Sequence, residues 1–140
     1  MRILLSLVSL LSLATANPVS RNPSNHDGEY TWECGKKAPY NSLDCSKLLH
    51  WMKDTSKTGW FGIGKADHLT QYWDSCQIYI MTGPLGHFAL EIQQDEFVDV
   101  INRGMTRECQ DDWTRVMVSP HNNTWIAFLT EKGWEPNHGF

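Results

Sequence analysis

The chain has no basic tract, no second long apolar run, no two cysteines closer than eleven residues and no internal repeat. Each absence removes a class. Without clustered lysine and arginine, and with a formal charge of −4, there is no electrostatic footprint for nucleic acid or an anionic membrane surface. No segment after residue 16 is apolar enough to span a bilayer, which takes about 18 or more apolar residues. Zinc ligation needs close ligand pairs such as C-x₂₋₄-C, and these are missing. There is no G-x-S-x-G nucleophile elbow and no H-E-x-x-H. GWFGIGKA (59–66) has the glycines and lysine of a phosphate-binding loop, but Ala66 stands where that loop needs Ser or Thr to hold magnesium. It reads as a glycine-rich surface loop.

What is present points to export. MRILLSLVSLLSLATA opens with Arg2, continues with an apolar run over residues 3–13, and closes on Ala14-Thr15-Ala16, a small-x-small cleavage pattern. The expectation is a signal peptide over 1–16 and a mature, secreted chain of net charge −5 once Arg2 is removed. The four cysteines, Cys34, Cys45, Cys76 and Cys109, all lie beyond this leader. In an exported domain they are expected to form two disulfides, and four cysteines allow three pairings. Asn122-Asn123-Thr124 is a glycosylation sequon, which fits an exposed loop of a glycoprotein.

Along the chain, 17–28 is polar and rich in proline and asparagine, and reads as a flexible mature N-terminus. EYTWEC alternates, with Tyr30, Trp32 and Cys34 on one side of a strand. Over 44–54, Cys45, Leu48, Leu49 and Met52 fall at helical spacing, with Asp44 or Ser42 as the cap. WFGI is a short strand candidate, and 64–74 reads as a loop with a helical turn. Cys76, Ile78 and Ile80, then Phe88, Leu90 and Ile92, alternate around a Gly-Pro turn and predict a hairpin. QQDEFVDVINRGM predicts a second helix, with Phe97, Val98, Val100, Ile101 and Met105 inward and an end near Gly104. WTRVMV and TWIAFL are two more strands with the sequon between them. Two apolar helix stripes and one apolar sheet face are best satisfied by a two-layer α+β sandwich: an antiparallel sheet of four to five strands with both helices on one face. The partition is signal peptide 1–16, flexible segment 17–28 and one domain over 29–140.

Two groups of side chains can carry function. A ribonuclease needs a carboxylate or imidazole to take the 2′-OH proton, an imidazole to protonate the leaving group and an arginine to stabilise the phosphorane. His87, Glu91, Arg115 and His121 supply those types, and they equally suit a solvated polar sheet face. The seven tryptophans are the second group. Trp51, Tyr72, Trp73, Trp113, Trp125 and Trp134 are too many for all to be core in so small a domain, and exposed aromatics are typical binding anchors.

In order, EYTWECG, LDCSKLLHWM, Trp60, LTQYWDSCQIYI and HFALEIQQDEFVDVINRGM resemble the small secreted cysteine-rich effectors of filamentous fungi known as extracellular necrosis-inducing factors, which are related in outline to fungal killer toxins. The likeness covers residues 30–105. Cys109 comes earlier than the last cysteine of that pattern, and the tail from Trp113 to Phe140 runs beyond it. Trp32-Glu33-Cys34 also matches the aromatic-x-Cys motif of ribonuclease-like secreted effectors.

The resemblance implies a secreted virulence effector or toxin-like protein that binds a host or competitor protein or cell-surface target, and that can induce cell death. It is expected to be a monomer without cofactor, metal or catalytic site. The binding surface is placed at Trp60, Phe61, Tyr72 and Trp73. The expected disulfides are Cys45–Cys76, tying the first helix to the hairpin, and Cys34–Cys109, tying the first strand to the end of the second helix. The alternatives are a ribonuclease-like protein acting on RNA through His87, Glu91, Arg115 and His121, and a killer-toxin-like ion-channel blocker.

Overall fold

A computed structural model describes residues 24–26, 28–55, 59–62, 67–83, 91–109 and 114–140, giving only the backbone of 24–26, 60–62 and 91–92. The expected leader lies outside the described residues.

The architecture is an α+β sandwich. Strands β1 (Ser24–His26), β2 (Tyr30–Lys37), β4 (His68–Trp73), β5 (Cys76–Thr82), β7 (Thr114–Pro120) and β8 (Trp125–Glu131) form one antiparallel sheet in the order β1-β2-β7-β8-β5-β4. Strands β3 (Trp60–Gly62) and β6 (Glu91–Gln93) pair separately. Helices α1 (Ser42–Thr55) and α2 (Gln94–Arg103) cover one face of the large sheet.

Register explains the two faces. Trp32 pairs with Val118, Cys34 with Val116, Val116 with Leu129, and Ile78 with Leu129, so these side chains share the inner face. All except Cys34, at 6 %, are fully buried. They meet Leu48, Leu49 and Met52 from α1 and Phe97, Val98 and Ile101 from α2. The Trp32 indole N–H donates to the Val100 carbonyl at 3.0 Å, which satisfies the one polar atom it buries.

The cap of α1 differs from expectation. Asn41, not Asp44 or Ser42, accepts from the Leu43 N–H through its side chain at 2.9 Å. Asp44 instead accepts from the Ser75 backbone and hydroxyl at 3.3 and 2.6 Å, joining α1 to the β4–β5 turn. Helix α2 ends as expected at Gly104, then widens into a π-helical turn over Gly104–Glu108. A Cβ on Gly104 would come within 2.6 Å of Val116 and 2.8 Å of Trp32, so only glycine allows this approach of helix to sheet.

Both expected disulfides are present, Cys34–Cys109 and Cys45–Cys76, with Cα separations of 5.5 and 5.1 Å. No helix among the described residues is long and apolar enough to cross a membrane.

Two further expectations are corrected. The stretch 64–74, read as a loop, contains strand β4. Its neighbour β5 makes a hairpin with β4 through Asp74-Ser75, where Asp74 takes φ +47°, a left-handed value that aspartate tolerates. The predicted hairpin across Thr82–Gly86 is therefore not the pairing of β5. The described end of its second run, Glu91–Gln93, pairs with β3. Ser24–His26, within the segment 17–28, pairs with β2 at the sheet edge.

Candidate binding surface

Among the described residues, four large apolar side chains stay in water: Leu43 at 57 %, Trp51 at 39 %, Tyr72 at 56 % and Trp73 at 38 % exposure. Tyr72 and Trp73 are consecutive on β4, so they point to opposite faces and flank the strand's outer edge. That edge ends the sheet, and among the described residues no strand pairs with it. Leu43 lies in the first turn of α1, beside the Asp44 that grips Ser75. The Cys45–Cys76 bridge locks this corner. The Ser75 hydroxyl holds the Asp44 carboxyl below its ordinary pKa, so the joint is made by an ionised carboxylate near neutral pH. Lys132 places its ammonium 4.2 Å over the Tyr72 ring.

The proposed surface is thus partly assembled. Tyr72 and Trp73 lie at one corner of the sheet, on opposite sides of the edge strand. Trp60 and Phe61 form β3, and their side chains lie outside the described residues. Leu43 belongs to the corner and escaped sequence reading, because an isolated leucine at a helix start carries no signal of exposure. Of the other aromatics, Trp125 and Trp134 are buried, at 5 % and 3 %. Trp113 lies outside the described residues.

The alternative constellation can be placed in part. Arg115 is the second residue of β7 and His121 follows its end, about 20 Å apart by strand rise. The Arg115 guanidinium forks onto Glu131 at 3.0 and 2.5 Å and also donates to the Gly139 carbonyl at 3.0 Å. Its charge is thereby committed within the chain. Burial pushes the Glu131 carboxyl up, but the Arg115 hydrogen bond and charge, with Glu131's own backbone bond, outweigh it and hold the carboxyl low. His87 and the Glu91 side chain lie outside the described residues. Among the described residues no three His, Cys, Asp or Glu side chains are grouped to hold a metal.

The outer sheet face around Arg115 is not open. The tail after β8 folds over it, packing Trp134 tilted and Phe140 edge-on against Phe128 at 4.9 and 5.7 Å between ring centroids. Tyr79 meets Trp134 edge-on at 6.2 Å. Buried Gln77 fastens the tail, donating to the Trp134 carbonyl at 2.8 Å and accepting from the Gly133 N–H at 2.9 Å.

A second concavity runs along α2. It has a volume of about 420 Å³ and is lined by Glu29, Tyr30, Trp32, Glu96, Asp99 and Arg103, with Val100 behind. The Tyr30 hydroxyl donates to Glu96. The Arg103 guanidinium lies 4.2 Å over Trp32 while its Nε donates to Glu108 at 2.8 Å. The cleft continues toward the β7–β8 turn.

Comparison with known protein families, curated proteins and solved structures gives no match.

Proposed function

We propose that this chain is a secreted, disulfide-stapled effector or toxin-like protein, similar to the extracellular necrosis-inducing factors, that acts by binding and not by catalysis. Its target is a protein or other cell-surface component of a host or a competing microbe. The observation that carries this reading is the exposure of Tyr72 and Trp73 at the end of edge strand β4, one on each face, next to the Cys45–Cys76 bridge on the neighbouring strand. Large rigid aromatics held without conformational freedom are efficient anchors. An outer strand edge adds backbone donors and acceptors that a partner strand can use. The leader-like opening, the sequon and the full pairing of four cysteines support export.

The test uses purified, labelled protein on intact cells of a susceptible host. The Tyr72→Ala/Trp73→Ala variant is expected to lose roughly tenfold or more in cell retention, on the scale of a hot-spot pair, while keeping its thermal midpoint. Cell death after infiltration into host tissue should fall in parallel. Retention and cell death equal to wild type would remove this surface from the account.

A further inference from the structure

We propose that Asn122 carries an N-linked glycan and that its first sugar seats in the adjoining cleft against Tyr30. The proposal rests on the export reading above.

The acceptor site is built by local geometry. Pro120 ends β7 and Trp125 begins β8, so residues 121–124 form the turn, with Asn123 at φ +52°. His121, Asn122 and Asn123 are exposed. Asn122 Oδ1 accepts from the Thr124 N–H at 3.2 Å and from the Thr124 hydroxyl at 2.8 Å. Both bonds hold the carboxamide by its oxygen, polarise it, and leave the nitrogen as the end available for chemistry. The arrangement spans only three residues and does not need the finished sheet.

In the transfer, Asn122 Nδ2 attacks C1 of an oligosaccharide carried on a lipid pyrophosphate, the donor supplied by the secretory pathway. The N–C1 bond forms. The C1–O bond to the pyrophosphate breaks with its electron pair, and the amide proton passes to the transferase.

The cleft gives the proposal its second support. Asn122 itself lines a concavity of about 370 Å³ together with Glu29, Tyr30, Glu96 and His121, within the size range of small-ligand clefts, roughly 300–1,000 Å³. An aromatic ring offers an apolar face to the C–H side of a pyranose. The two carboxylates accept from sugar hydroxyls and disfavour an anionic occupant. A neutral polyol tethered at the rim meets each demand. The site also lies at the opposite end of β8 from the Tyr72–Trp73 corner, since Trp125 pairs with Thr82 and Glu131 with Cys76. A glycan here leaves the proposed binding corner clear.

The test secretes the chain from a eukaryotic host behind a heterologous leader, so that delivery does not depend on residues 1–16. Intact mass is expected to show a glycan on wild type and on Thr124→Ser, and none on Asn122→Gln or Thr124→Ala. Thermal midpoints are then compared for the fully glycosylated protein, the same protein trimmed to one sugar, and the identical chain folded without glycan in an oxidising bacterial host. The cleft predicts that the first two agree and the third melts several degrees lower. An unmodified wild-type chain overturns the proposal. A glycosylated chain whose midpoint equals that of the bare chain overturns the seating in the cleft. Loss of secretion only when the native leader is restored would sink the export reading and leave the glycan result standing.

Discussion

The two faces of the sheet are covered in different ways. The inner face lies under two helices, meets both disulfides and buries Trp32, Val116, Val118, Ile78 and Leu129 completely. The outer face lies under an irregular tail, held by Trp134, Phe140, Gln77 and the Arg115–Glu131 fork. The first cover is covalent and continuous; the second is a flap made of rings and a few polar bonds. The inner face should therefore carry the fold, and the outer cover should come away with limited loss.

The largest effect that sharpens this contrast is loss of a bridge. Cys34→Ser/Cys109→Ser or Cys45→Ser/Cys76→Ser should lower stability by about 3–4 kcal/mol each, read from urea midpoints. A matched pair of truncations comes next. Trp32→Ala removes a fully buried ring, its bond to Val100 and the surface on which Arg103 lies. It should cost about 3–5 kcal/mol. Trp134→Ala should cost less and leave the near-UV signature of the helical face intact. Equal costs would contradict the ranking of the faces.

Two glycines repeat the comparison at smaller scale. A methyl at Gly104 meets Val116 and Trp32, neither able to move, and Gly104→Ala should cost about 1–3 kcal/mol. A methyl at Gly35 comes within 2.9 Å of the Phe140 ring, which belongs to the outer cover and not to the inner face. Gly35→Ala should cost less than about 1 kcal/mol. The difference between the two denaturation midpoints is the readout.

The smallest effect is electrostatic. Glu131 has a folded pKa below its unfolded value of about 4.3. Its contribution is therefore present above that pH and lost as pH falls through the folded value. Acid should loosen the tail before the helical face. Fluorescence of Trp134 should change at a higher pH than far-ultraviolet dichroism. In Glu131→Gln the two should no longer separate.

The inner face was legible in the sequence, and the outer cover was not. Helices α1 and α2 announce themselves because Leu48, Leu49 and Met52, or Phe97, Val98 and Ile101, recur at helical spacing. Alternation gives β2, β5, β7 and β8. Strand β4 hides because His68-Leu69-Thr70-Gln71-Tyr72-Trp73 lies at an edge, where neither face is cleanly apolar. The false hairpin has the converse cause. Two alternating runs flank a Gly-Pro turn, yet pairing is settled by neighbours far along the chain, and β8 takes the place beside β5. The tail carries no period at all: Trp134 and Phe140 are six residues apart in irregular chain, so nothing local says that they cap a sheet. At the candidate surface, Tyr72 and Trp73 were legible as surplus aromatics, while Leu43 came into view only with the fold.

The claim beneath the functional account is that the β4 corner touches the target. Photo-crosslinking tests it most directly, with a benzophenone side chain introduced in place of Tyr72 or, as the control, in place of exposed His50 on α1. On intact host cells, adducts are predicted from position 72 and not from position 50. Adducts of equal yield at both positions, or from position 50 alone, would contradict the account.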